Sequence, residues 1–442
     1  MTRSMFQKLV LPVAGLALLA GCARDDQSNN NLAGPTFATS LFSRYVSLGN
    51  SITAGYQSGG INATTQAQAY PVLLAQAANA PFFYPTLAGR GCTPPYRGPF
   101  LVDTVRSGTG ATSATCDLRA TPLPQYVQNL AVPGAKLGDA LDNFRSGTQA
   151  NTLTTLFLGG RSQVETMKLL QPSLVSSYLG NNDVLGAAVA GDTSLLTPLA
   201  AFQAREDSLV AAIKTTPAGS GGADNDVVMI GIAPFPAIVQ PGAYFFALST
   251  DPTFTARTGK TVAADCAFGT PGGANLVSLA VLGSAVPVIS CSDNAPYVLN
   301  ATERATFFGR TDAYNAIIKK AATDNGWIYI DTNEVLGGAG TTATTLRSKL
   351  PASQFRLCQG LATAATPAAF QTAVATTCPS PTLNANGTTP AYTPGAAAYA
   401  NFFGTWLTFD AVHPALPFHK ALANAIINAI NAKHATTIPN IA

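Results

Sequence analysis

Apolar residues along the chain gather into short continuous runs, separated by longer stretches in which they recur every three or four positions. Five runs read as strands, at 44–49, 126–131, 173–179, 226–232 and 327–331. The run at 226–232, DVVMIGI, is the clearest. An unbroken apolar run of that length is what a parallel strand covered on both faces presents. Helical spacing is expected over 67–78, interrupted early by Pro71, and over 135–144, 163–170, 195–214 and 418–432. It is also expected over 302–325, where Ala305, Phe308, Ala313, Ile317 and Ala321 share a face. Strands alternating with helices predict an α/β fold built on a parallel sheet. Three stretches rich in Gly, Pro and Thr, near 81–125, 236–300 and 337–405, break the alternation and read as loop insertions into one domain spanning 39–442. No internal repeat is visible.

Composition sharpens the picture. Hydrophobic residues make up 47% of the 442-residue chain and charged residues only 11%, against about a quarter in an average domain. Core material is ample, and the polar surface must come from Thr, Ser, Asn and Gln. Formal net charge is +3, and removal of Arg3 and Lys8 with a leader leaves 23 cations against 22 anions. A near-neutral chain without a basic run lacks the electrostatic footprint of a nucleic-acid partner.

The N-terminus carries an address. Arg3 and Lys8 precede an apolar stretch of 12 residues, Leu9 to Ala20, shorter than the roughly 20 that span a bilayer. The stretch ends in Leu19-Ala20-Gly21-Cys22, which resembles a bacterial lipobox. That resemblance implies a lipoprotein signal peptide at 1–21, lipidation of Cys22, and a polar tether over 22–38. The expected location is the bacterial cell envelope, on the outer membrane or a periplasmic or extracellular face, with the membrane reached through the lipid anchor. Six further cysteines fit an exported chain. Their spacing suggests the local pairs Cys92–Cys116, Cys266–Cys291 and Cys358–Cys378, each inside an insertion. Closing such a loop stabilises by about 3 kcal/mol in the chain-entropy model. No CxxC occurs and no histidine neighbours a cysteine, so neither a metal nor a cofactor is expected.

The turns at the strand ends carry the chemistry. Gly49-Asn50-Ser51 comes after the first strand, Val132-Pro133-Gly134 after the second and Gly180-Asn181-Asn182-Asp183 after the third. Asp410-Ala411-Val412-His413-Pro414 stands near the C-terminus. Parallel sheets gather such turns at the carboxyl ends of their strands. Acyl transfer needs a nucleophile, a base, a group that orients the base, and donors for the oxyanion. Ser51 suits the first role and His413 the second. Asp410 suits the third, and the N–H groups of Ser51 and Gly134 with the Asn182 amide suit the fourth. One such donor is worth about 3–4 kcal/mol of transition-state stabilisation. Each element alone is commonplace; the ordered set is not.

In these blocks the sequence resembles the SGNH (GDSL-type) hydrolase family, over about 44–56, 130–136, 178–184 and 409–420. The resemblance implies a three-layer α/β/α, flavodoxin-like sheet of order 2-1-3-4-5. It implies a serine ester hydrolase working through an acyl-enzyme at Ser51, with His413 as base, Asp410 as acid, and Gly134 and Asn182 in the oxyanion hole. Asn50 departs from the aspartate often found there, which keeps the turn chemistry and removes a charge. A Gly-x-Ser-x-Gly elbow does not fit, because Thr53 occupies the second glycine's position. Two alternatives stand beside the esterase/lipase reading: a carbohydrate O-deacetylase using the same residues, and a binding lipoprotein without turnover. The ester substrate is accordingly a lipid or an acylated glycan, and a monomer is expected. Aromatic clusters at Phe82-Phe83-Tyr84, Tyr244-Phe245-Phe246 and Phe402-Phe403 with Trp406 either form an apolar mouth or pack the insertions onto the core.

Overall fold

Four parallel strands form the centre of the computed structural model: β1 (Tyr45–Gly49), β2 (Leu174–Tyr178), β3 (Asp226–Ile230) and β4 (Ile328–Ile330). Their spatial order is β1-β2-β3-β4, with Ser47 opposite Ser176, Ser176 opposite Val228 and Val228 opposite Ile328. The structure describes residues 40–442 except 103–104, 108–118, 143–151, 219–225, 235–236, 252, 360, 362–363, 365, 383, 385–389, 392 and 394–395. The expected leader, tether and Cys22 therefore lie outside the described residues. β1 and β2 are buried at every position and β3 at all but its first, as strands covered on both faces must be.

The labelled helices are α1 (Ser51–Ala54), α2 (Tyr70–Ala77), α3 (Gln163–Leu170), α4 (Asn181–Ala190), α5 (Leu199–Lys214), α6 (Ala301–Asp324) and α7 (Leu416–His434). α2 packs on α7, while α3 and α6 each pack on α5. Both α6 and α7 also contact β4.

Two expectations need correction. No strand forms at 126–131. The segment runs beside β1, joined to it by Ser47 N–H to Gln128 O (2.9 Å) and Leu130 N–H to Ser47 O (2.9 Å), and only Ser47–Asn129 qualifies as a bridge. Side-chain amides add to this contact: Gln128 Nε2 donates to Tyr45 O at 2.9 Å, and Asn129 Nδ2 reaches past β1 to Thr53 O at 2.8 Å. The expected outer position beside β1 is thus filled by an extended segment, and the order of the other four strands stands. Nor does Pro71 interrupt a helix. It lies in the first turn of α2, where its missing N–H has no partner to lose, and a separate short helix (Ala63–Ala67) precedes it.

The insertions hold more structure than their composition predicts. The second contains an antiparallel sheet of Val239–Pro241, Leu276–Ser278 and Val298–Leu299. The third contains helices Ala343–Lys349 and Pro367–Thr377. Disulfides Cys266–Cys291 and Cys358–Cys378 close them, with Cα atoms 5.0 and 4.0 Å apart. The other expected pair includes Cys116, outside the described residues. The aromatic clusters serve packing: Phe82 stacks on Tyr45, Tyr244 and Phe245 are fully buried, and Tyr244 Oη donates to Pro379 O at 2.9 Å, joining the second insertion to the third.

Candidate active site

The turn after β1 is built by its neighbours. A side chain at Gly49 would put Cβ 2.1 Å from Thr53 Oγ1, so only glycine lets the chain turn there. Gln163, at the start of α3, clamps Gly49 twice, accepting from its N–H and donating to its carbonyl, both at 2.8 Å. Asn50 caps α1 by accepting from Ile52 N–H at 3.1 Å, and its Nδ2 donates to Tyr178 O at 3.2 Å, tying the end of β1 to the end of β2. An ionised aspartate could cap the helix but not donate to Tyr178, so this junction uses the amide that the departure at Asn50 supplies. Ser51 comes next as the first helical residue, 7% exposed.

Asp410 and His413 meet on one tight turn. Asp410 Oδ1 accepts from Val412 N–H (2.9 Å) and His413 N–H (2.8 Å), while Oδ2 lies 2.7 Å from His413 Nδ1. The turn requires a left-handed φ of 62° at the buried Ala411. Burial alone pushes the Asp410 carboxyl up, but the His413 charge and the hydrogen bonds around it together hold the carboxyl below its ordinary value. An ionised Asp410 fixes the tautomer in which His413 Nδ1 carries the proton and Nε2 is the basic nitrogen.

The loop after α1 joins the two parts. Gly59 N–H donates to Asp410 Oδ2, and Ser58 N–H to Thr408 Oγ1 at 2.8 Å. Tyr56 donates its N–H to Ser51 O at 2.8 Å and its hydroxyl to Gly59 O at 2.8 Å. Its ring lies 4.8 Å from the His413 imidazole. Burial, with Asp410 nearby, pushes the Tyr56 phenol up to about 12, so it stays neutral. No hydrogen bond joins Ser51 to His413 directly, as is common before substrate draws a nucleophile and base together.

On the other side, Val132 N–H donates to Gly49 O at 3.2 Å, which brings the Gly134 turn beside the end of β1. Gly134 is exposed and takes a φ of 85°. Asn182, in the first turn of α4, donates Nδ2 to Ala135 O at 2.9 Å and so lies beside that turn, its second amide proton without a partner among the described residues. Asp183 is buried beneath, accepting from Leu137 N–H (2.9 Å) and Thr197 Oγ1 (2.7 Å). The fold thus gathers all four predicted turns along the carboxyl edge of the sheet. Sequence reasoning missed the supports Gln163, Tyr56, Thr408 and Asp183; only Tyr56, at the end of the first block, and Asp183, in the third, stood inside motif stretches already singled out. Among the described residues, the one cluster of metal-ligand type is Asp265 with Cys266 and Cys291, whose sulfurs are joined in the disulfide.

A family model for the GDSL-like lipase/acylhydrolases matches residues 45–426, nearly the whole chain, and the protein belongs to that family. It is by that membership a carboxylic ester hydrolase. Similar solved structures include an acetyl xylan esterase from Geobacillus stearothermophilus, with 12% identity, a TM-score of 0.34, and coverage of 88% of this chain and 94% of that one. A phospholipase A1 from Streptomyces albidoflavus has 15% identity and a TM-score of 0.27, covering 87% and 98%. An extracellular lipase from Streptomyces rimosus has 17% identity and a TM-score of 0.25, covering 70% and 92%. No curated protein matches the chain by sequence. The family assignment rests on the family model.

Proposed function

We propose that Ser51 is the nucleophile of this hydrolase, His413 its general base and Asp410 the group that orients the base. The observation that carries this reading is the 2.7 Å contact between His413 Nδ1 and Asp410 Oδ2, on a turn fastened by Gly59 N–H to the loop beyond Ser51. In the first step His413 Nε2 takes the Ser51 proton as Oγ attacks the ester carbonyl. The resulting oxyanion is held by the N–H groups of Ser51 and Gly134 and by the second Asn182 amide proton. His413 then protonates the departing alcohol, and the acyl group remains on Ser51. Water, deprotonated by His413, releases the acid and restores the serine. Asp410 stays ionised throughout and stabilises the imidazolium.

A fluorophosphonate should label the peptide holding Ser51, and Ser51→Ala should abolish ester hydrolysis with thermal unfolding unchanged. A folded Ser51→Ala protein that still turned over ester would sink the assignment. p-Nitrophenyl esters from acetate to palmitate, run beside acetylated xylan, separate the lipid and glycan substrate classes. We further infer that Cys22 is lipidated and holds the enzyme in the bacterial cell envelope, a reading supported by the Leu19-Ala20-Gly21-Cys22 signal. Among the described residues no helix is long and apolar enough to cross a membrane. Cys22→Ser should move the protein from the detergent phase to the aqueous phase on partition; retention in the detergent phase would reject the anchor.

A further inference from the structure

A cavity of about 940 Å³ lies between the second and third insertions and the first turns of α6, at the upper end of the ~300–1,000 Å³ usual for small-molecule sites. None of its lining residues belongs to the four turns of the active site. Its walls include Phe268, Phe308, Leu357 and Leu361, and the only charged side chains among its described lining residues are Arg304 and Arg347.

Both charges are cationic, and the Arg304 side chain meets no carboxylate among the described residues. Arg347 donates to backbone carbonyls, Val239 O at 3.0 Å and Leu357 O at 2.7 Å. Burial and the nearby Arg304 charge lower its pKa to about 9. Arg304 is partly buried, and its side chain has neither a hydrogen bond nor an ion pair among the described residues. It stands in the first turn of α6, where the helix dipole disfavours a cation. The carboxylate beside it, Glu303, is engaged on Asn300 N–H at 3.0 Å. An Arg304 guanidinium that faces a largely apolar cavity beside a second cation makes a positive field there that an anion would complement.

We propose that this cavity binds an amphiphilic carboxylate, its head paired with Arg304 in the field of Arg347 and its hydrocarbon tail against Phe268, Phe308, Leu357 and Leu361. The guanidinium fork of Arg304 matches a carboxylate in bidentate geometry, whereas the donors of Arg347 are already partly committed. A small anion would meet the charge and leave the apolar walls wet; a neutral alkane would do the reverse. Ester hydrolysis releases acids of this kind, so naming the ligand as a product of this enzyme rests on the proposed function. Binding itself does not.

The test is calorimetric titration of decanoate, below its micelle concentration, into the full chain carrying Ser51→Ala. Decyltrimethylammonium supplies the same tail with the opposite charge, and acetate the same charge without a tail. One-to-one binding of decanoate is expected, with both controls weaker by about tenfold or more. Arg304→Gln should weaken decanoate by a similar factor without lowering the unfolding temperature, since the Arg304 side chain holds no internal bond among the described residues. Absence of decanoate binding overturns the proposal, as does equal binding of the cationic control or unchanged affinity in Arg304→Gln. Binding lost when Ser51 of the wild-type chain is capped by a fluorophosphonate also overturns it, because the ligand would then lie in the active site. Wild-type turnover is measured separately: an inactive wild type that bound decanoate would reject the esterase mechanism and leave the cavity assignment standing.

Discussion

Of the three histidines, His413 and His419 lie six residues apart yet occupy opposite environments. His413 is partly exposed on its turn, whereas His419 is fully buried and accepts the Tyr70 N–H through Nδ1 at 3.2 Å. Burial, with His413 nearby, drives the His419 pKa down to about 3, so it stays neutral at any working pH. His413→Ala should abolish turnover in a protein that unfolds normally. His419→Ala should lose about 1–3 kcal/mol of stability while its folded fraction still hydrolyses ester; paired melting curves and rates decide, and the reverse pattern would reassign the base. The sequence suggests a surface or helix-end place for His419, because nothing local reveals that α7 turns this face onto α2. A second residue gives a pH signature. Glu206 is 2% exposed, and burial, with Asp207 and Asp183 adding to it, pushes its carboxyl from 4.5 up to about 8. The folded chain therefore binds more protons than the unfolded chain between those values, and stability from this group falls as pH rises through that window. Glu206→Gln should raise the unfolding temperature at pH 8 more than at pH 5; an equal change at both would show that Glu206 titrates normally. Ser51, Asp410 and His413 could be proposed from sequence because residue type, motif order and the three-residue Asp–His spacing are local signals. Glu206 was not, since an acidic residue in a helix reads as solvated until its neighbours are known.

At the scale of elements, most strands and helices came out of apolar spacing, and the misses have identifiable causes. The short run at 126–131 suggested a strand, but the segment makes a single bridge to β1 and Gln128 adds its side-chain amide to Tyr45 O, a choice invisible without β1 alongside. Pro71 was ambiguous because proline breaks a helix interior and favours a first turn, and only the caps tell the two apart. The clamp between α3 and β1 was not legible at all. Gln163 and Gly49 are 114 residues apart, and their pairing depends on how α3 lies against the sheet. Its removal is informative: Gln163→Leu leaves the buried Gly49 N–H unpaired and its carbonyl with only the longer Val132 N–H bond, at the mouth of the Ser51 turn. A loss of about 1–3 kcal/mol is expected, with kcat falling more than KM rises, because the turn that aims Ser51 loosens. Unchanged kcat in a destabilised Gln163→Leu protein would make the clamp purely structural.

Over the whole molecule, the insertions were legible as interruptions but not as structure, since Gly, Pro and Thr say where regular elements stop and little about what holds the remainder. The holding is done by two disulfides, by Arg347 reaching carbonyls in both insertions, and by Tyr244 on Pro379. Non-reducing peptide mapping should recover Cys266–Cys291 and Cys358–Cys378, and mild reduction should lower the unfolding temperature, each bridge being worth about 3 kcal/mol in the chain-entropy model. A cross-insertion pair such as Cys266–Cys358 would contradict the fold. The bond from Gly59 N–H to Asp410 spans 351 residues and welds the nucleophile's loop to the base's turn. During synthesis, therefore, Ser51 leaves the ribosome more than 351 residues ahead of the proposed base. On the proposed mechanism, a nascent chain stalled between the two would be a serine protein without a base, and hydrolytic power would arrive in a single event rather than grow with chain length.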